Sequence, residues 1–239
     1  MANLSFSNLF VQSFEWYKRN FWRILPSLLL SAFSYWAIFV YLQQVLLPNI
    51  LKYNFFTDPL FWIFWLGIFY LFCLVSLLLL IALKDESKGI KAIFQEGFSM
   101  IFAFCFLNII VALINGLGFL LFIVPGIILS IYLGFSIFVF VEEKTSPILA
   151  IRKSYDLVKG NWLKVFKYYL LLALLFFCLG LLSNTIIALS SLSVSSGALL
   201  SEVLSIFLLN PLSIAFHYFL YKSISSEKAS KIEEVELTQ

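Results

Sequence analysis

The chain has 239 residues, of which 62% are hydrophobic and only 12% charged, with 28 Phe and a formal net charge of +3. A soluble domain of this length is near half apolar and about a quarter charged, so this composition excludes an ordinary water-soluble fold and makes lipid the expected solvent. The modest basic excess flanks apolar runs, which fits membrane orientation rather than nucleic-acid binding.

The first twenty residues mix Glu15, Lys18 and Arg19 with aromatics. No cleavable signal peptide is expected there, and the first apolar run is read as an uncleaved anchor. Residues 5–18 place Phe6, Leu9, Phe10, Phe14 and Tyr17 as the apolar side of an interfacial helix. Six spans then follow, over about 24–47, 60–83, 98–118, 119–141, 164–189 and 198–221. Each is long enough to cover ~30 Å of hydrocarbon at about 1.5 Å per residue. Residues 86–97 form a second amphipathic segment, with Ile90, Ile93 and Phe94 opposite Lys88, Lys91 and Gln95.

Spans three and four are divided only by the Gly116–Gly118 region, and Pro125–Gly126 opens span four. A Pro–Gly pair there predicts a kink or a short re-entrant turn, hence a candidate hinge or lateral groove. Residues 146–160 are the clearest amphipathic helix. Ser146 is placed to cap it, Pro147 suits its first turn and Gly160 its end. Ile148, Ile151, Tyr155 and Val158 are expected on its apolar face, opposite Arg152, Lys153, Asp156 and Lys159.

Six spans put fifteen of the sixteen Lys and Arg residues on one side, with Lys52 alone on the other. By the positive-inside rule that side, with both termini, is cytoplasmic. Residues 13–24 also match 154–165 in register: Ser, aromatic, acid, then Lys, Asn, aromatic, cation and a β-branched residue. The expected architecture is therefore all-α. A single membrane domain, 1–223, holds repeat-like units 1–83, 84–142 and 143–223, each an interfacial helix followed by a hairpin of spans. Residues 224–239 form a polar cytoplasmic tail, disordered or partly helical.

No catalytic residue, metal site or cofactor is expected. The three cysteines, Cys73, Cys105 and Cys178, are scattered through apolar runs, and no phosphate-binding, nucleophile-elbow or zinc motif occurs. His217, with Asn210, is a candidate intramembrane polar site, since an ionisable side chain in a span is costly. Asn108, Asn115 and Asn184 are read as interhelical hydrogen-bond groups. Glu142 and Glu143 face Arg152 and Lys153 across a short turn. Arg152, Lys153, Lys159 and Lys164 are candidate contacts for anionic lipid head groups.

The segments 121–128, 141–143 and 150–162 carry a Pro–Gly pair opening a span, acids at its end and a basic, Ser-containing amphipathic helix ending before an aromatic. This pattern resembles the YciC-like bacterial inner-membrane family. It is also similar to the membrane domain attached to some glycerophosphoryl diester phosphodiesterases. The resemblance is specific over 117–170, and Tyr221–Lys222–Ser223 departs from it by lacking an acid after the tyrosine. It implies a multi-pass bacterial inner-membrane protein of about six spans and no catalytic residue. The expected role is a non-enzymatic lipid-interacting or envelope-associated module, partnered by membrane phospholipids or by another membrane protein. The alternative is a small transporter or channel.

Overall fold

A computed structural model describes residues 5–46, 57–189, 203 and 205–237. Among them no strand occurs. The helices are α1 (Phe6–Tyr41), α2 (Pro59–Lys84), α3 (Ile90–Leu121), α4 (Ile123–Leu133), α5 (Ser136–Glu143), α6 (Pro147–Val158), α7 (Trp162–Leu189) and α8 (Asn210–Leu237). Five helical stretches among the described residues are long and apolar enough to cross a membrane: α1, α2, α3, the α4–α5 stretch Ile123–Glu143, and Trp162–Ser183 of α7. The protein is thus an all-α, multi-pass membrane protein. The sixth expected span, 198–221, lies partly outside the described residues. Its described part is a π-helical turn, Ser205–Leu209, running into α8.

Two of the expected interfacial helices are not separate elements. Residues 5–18 and the first span form one helix, because nothing between them breaks it. Pro26 lies inside α1, and no other proline occurs there. Residues 90–97 likewise merge with the third span in α3, while 86–89 lie in the turn before it. Only α6 stands apart from the span after it. The cause is Gly160, which adopts φ +89°, a conformation that costs other residues about 1–2 kcal/mol. In the internal match, Gly160 aligns with Arg19, which continues a helix without penalty.

The burial pattern of the matched segments agrees except at Tyr17 and Val158 and at Asn20 and Asn161. Ser13 and Ser154, Trp16 and Leu157, and Ile24 and Val165 are buried in both copies. Phe14 and Tyr155, Glu15 and Asp156, and Trp22 and Leu163 are exposed in both.

The chain packs as two compact units. Phe21–Ile101 is one of them. In it Asp58 caps α2, its carboxylate accepting from the Leu60 N–H at 2.9 Å, and Pro59 occupies the first helical position. Tyr41 stacks on Phe64 with ring centroids 4.1 Å apart, and Tyr35 meets Phe72 edge-on at 5.2 Å. At the other end, the Arg23 guanidinium donates to the carbonyls of Ala82, Asp85 and Glu86. These include carbonyls that the end of α2 leaves without a helical partner, and a cation there also suits the negative end of the helix dipole.

The other unit comprises Met1–Asn20 and Phe102–Gln239. There α6 packs on α4, α5 and α8. The N-terminal part of α1 docks on the last hairpin: Phe6 meets Phe216 at 5.2 Å, and the Tyr17 hydroxyl donates to the Phe207 carbonyl. Phe135, fully buried, is ringed by Phe138, Tyr169 and Tyr221. Compact units follow contacts, whereas the repeat-like units follow sequence resemblance, so the two sets of boundaries differ.

Candidate functional site

A cation-rich segment surrounds α6 in the second unit. Pro147 begins α6, and the Ala150 N–H donates to the Ser146 carbonyl at 2.9 Å. The Ser146 side chain makes no cap hydrogen bond, contrary to expectation.

The docking face of α6 also differs from the expected one. Ala150, Ser154, Leu157 and Val158 are buried, and the Ser154 hydroxyl donates to the Tyr132 carbonyl at 2.7 Å. Of the expected apolar face only Val158 is buried. Ile148 is 65% and Tyr155 43% exposed. Small side chains let α6 approach α4 and α5 closely, which selects Ala150 and Ser154 over the bulkier Ile148 and Ile151. Helical spacing then gathers Ile148, Arg152 and Tyr155, followed by Lys159, on the side away from the protein. All four are exposed. Tyr155 stacks on Tyr132 with centroids 4.7 Å apart.

The four candidate head-group cations fall into two kinds. Lys153 pairs with Glu143, and Lys164 pairs with Glu227 of α8. Arg152 and Lys159 draw no ion pair from the described residues. Close by, the Lys228 ammonium donates to the Asp156 carbonyl at 2.6 Å, tying α8 to α6. Gly160, Asn161, Trp162, Leu163 and Lys164 line a shallow, open depression at the start of α7.

Sequence reasoning missed the role of Glu142. It points not toward Arg152 or Lys153 but to α8, accepting from the Tyr218 hydroxyl and pairing with Lys222 at 2.8 Å. The available signal was the four-residue spacing of Tyr218 and Lys222, which puts them on one face of a helix.

Pro125 and Gly126, the candidate hinge or groove, lie in the first turn of α4. Pro125 is the third residue of α4, where the helix tolerates it, and α3 and α4 are joined through Phe122 alone. A Cβ at Gly126 would lie 2.4 Å from the Phe119 ring, and one at Gly118 would lie 3.1 Å from the Gly126 Cα. The two glycines let the hairpin close tightly.

His217 is satisfied within its own helix: its Nδ1 lies 2.7 Å from the Ser213 carbonyl, to which it donates. Its ring meets Tyr169 edge-on at 4.5 Å. Asn210 opens α8 two turns earlier, so the two candidates share a helix but form no cluster. Asn108 donates to the Phe104 carbonyl at 2.8 Å, within α3 rather than across helices. The side chain of Asn184, like Lys52 and Glu202, lies outside the described residues.

Comparison with protein-family models, with curated proteins and with solved structures finds no match for this chain.

Proposed function

We propose that this membrane protein is a non-enzymatic, lipid-interacting module of the bacterial inner membrane, with both termini cytoplasmic, as its resemblance to the YciC-like family implies. The observation that carries the reading is the outward stripe of α6. Arg152 and Lys159 are exposed beside Ile148 and Tyr155, while Lys153 and Lys164 are engaged by carboxylates. An apolar residue, an aromatic and two cations on one helix face suit the boundary between acyl chains and anionic head groups. Cations near such a surface contribute about 1 kcal/mol each.

Native mass spectrometry of the protein released in polymer discs from its own membrane tests this. Wild type is expected to retain anionic phospholipid selectively. An Arg152→Gln/Lys159→Gln variant is expected to lose roughly thirtyfold in that preference. Lipid of bulk composition around both proteins would end the head-group reading. A stoichiometric protein companion in its place would favour a scaffold role.

A further inference from the structure

The turn between α3 and α4 is made without polar side chains. Residues 116–129 contain none, and the nearest on either side are Asn115 and Ser130. The connections of the other two expected hairpins are different. Residues 42–58 include Gln43, Asn49, Lys52 and Asp58, and residues 183–202 include a run of serines and Glu202. A turn that emerges into water carries such residues for a physical reason. Its open backbone groups are served by water, and exposed apolar side chains are penalised there.

Here both requirements are reversed. Leu120, Leu121, Phe122, Ile123 and Val124 are consecutive and 65–82% exposed. The backbone is served in part from within: the Phe122 N–H donates to the Gly118 carbonyl at 3.1 Å, and the Gly126 N–H to the Phe122 carbonyl at 3.2 Å, which leaves the Ile123 and Val124 N–H groups as the open donors of the first turn of α4. Pro125 has no N–H at all, which removes one of the four donors that the first turn of α4 would leave open. Each donor removed or paired favours a water-free environment, because an unpaired group in hydrocarbon costs several kcal/mol. The Gly118–Gly126 approach closes the hairpin onto itself.

The length of the limb fixes the depth. Ile123–Glu143 has 21 residues, or roughly 32 Å at helical rise, about one hydrocarbon thickness. With Glu142 and Glu143 at the head-group level of one leaflet, the turn arrives at the acyl region of the other.

We infer that the α3–α4 turn is a membrane-embedded tip, whose Leu120–Val124 segment contacts the phospholipid acyl chains of the leaflet opposite α6 and does not emerge into water. The tip holds the hairpin by apolar burial alone. Pro125 serves it by removing one open donor, and Gly126 by removing the steric bulk where the hairpin closes.

The test uses the full chain with Cys73, Cys105 and Cys178 replaced by Ala, and a single Cys introduced as Phe122→Cys or, separately, Leu120→Cys. Asp58→Cys is the water-facing control. Each protein is labelled in detergent with a bimane fluorophore and reconstituted into nanodiscs. Quenching is then measured with acyl-brominated phospholipid and with aqueous iodide. The expected result is strong bromolipid quenching and little iodide quenching at 120 and 122, with the reverse at 58. In unlabelled proteoliposomes, an impermeant maleimide should modify 120 and 122 about tenfold or more slowly than 58. Iodide quenching equal to that at 58 overturns the proposal by placing the tip in water. Protection from both quenchers also overturns it, by showing the tip covered by a second copy or a protein partner. Two tip positions guard against one variant failing to fold. The outcome does not depend on whether Arg152 and Lys159 bind head groups.

Discussion

Gly134, between α4 and α5, is bare because Tyr169 occupies the space a side chain would need. A Cβ there would lie 2.5 Å from the Tyr169 hydroxyl oxygen and 3.1 Å from the Ser130 carbonyl. Gly134→Ala is therefore expected to destabilise the protein by about 1–3 kcal/mol, the usual cost of overpacking. Tyr169→Phe removes the nearer obstacle, so the double variant should recover part of the loss. Thermal unfolding of the four proteins of this cycle in nanodiscs checks it. Simple additivity of the two changes would mean that the contact does not constrain position 134. Individual residues were also where the sequence was least legible. Glycine announces a close approach or a special φ but not which, and Gly134, Gly126 and Gly160 have three different causes.

Elements are joined by short polar turns whose chemistry is local. After α2, the Asp85 carboxylate accepts from the Ser87 hydroxyl at 2.6 Å and the Ser87 N–H at 3.0 Å, with Lys88 at 3.7 Å. The Ser87 hydroxyl, its N–H and the nearby ammonium hold the Asp85 carboxyl below its ordinary range. Lys88 is held above its ordinary range, chiefly by its hydrogen bond to Glu96 at 2.6 Å. The signs are opposite. The Asp85 contribution is complete above the ordinary carboxylate range and fades as pH falls through the depressed value. The Lys88 contribution is complete below the ordinary ammonium value and fades as pH rises through the raised one. Hydrogen exchange at residues 85–90 should thus be slowest relative to its intrinsic rate across the neutral range, and Asp85→Asn should abolish its acid limb alone. An acid limb that persists in Asp85→Asn would assign it to another group. Residues 86–89 form this turn although they were expected in an amphipathic helix over 86–97, and the merging of 90–97 into α3 was not legible either. An amphipathic stretch bends into the interface only where something interrupts the helix, and between Ile90 and Leu121 nothing does.

At the scale of the molecule, ties between residues far apart in the chain organise the unit that contains α6. Lys164 at the start of α7 and Glu227 on α8 are 63 positions apart and are both partly exposed. Such a pair is worth about 0.2–1 kcal/mol. Lys164→Glu should loosen α8 around Glu227, and Lys164→Glu/Glu227→Lys should restore it, read as hydrogen exchange over 222–230. Failure of the swapped pair to restore protection would show that Lys164 acts on something other than Glu227, such as a lipid phosphate. Tyr17 on Phe207 and Lys228 on Asp156 act in the same way.

Solvent and element class were determined by the sequence alone. Apolar runs of membrane length, with charges confined between them, leave a chain no other stable arrangement than helices in lipid, and this follows from composition and spacing. The tertiary structure decided which side of α6 docks, because close packing prefers Ala150 and Ser154 to larger apolar neighbours. It decided which cations remain open, because Glu143 and Glu227 reach Lys153 and Lys164 but not Arg152 and Lys159. It also decided how closely α3 and α4 approach at Gly118 and Gly126. Each of these depends on what a side chain meets across space, and a linear pattern does not contain that information.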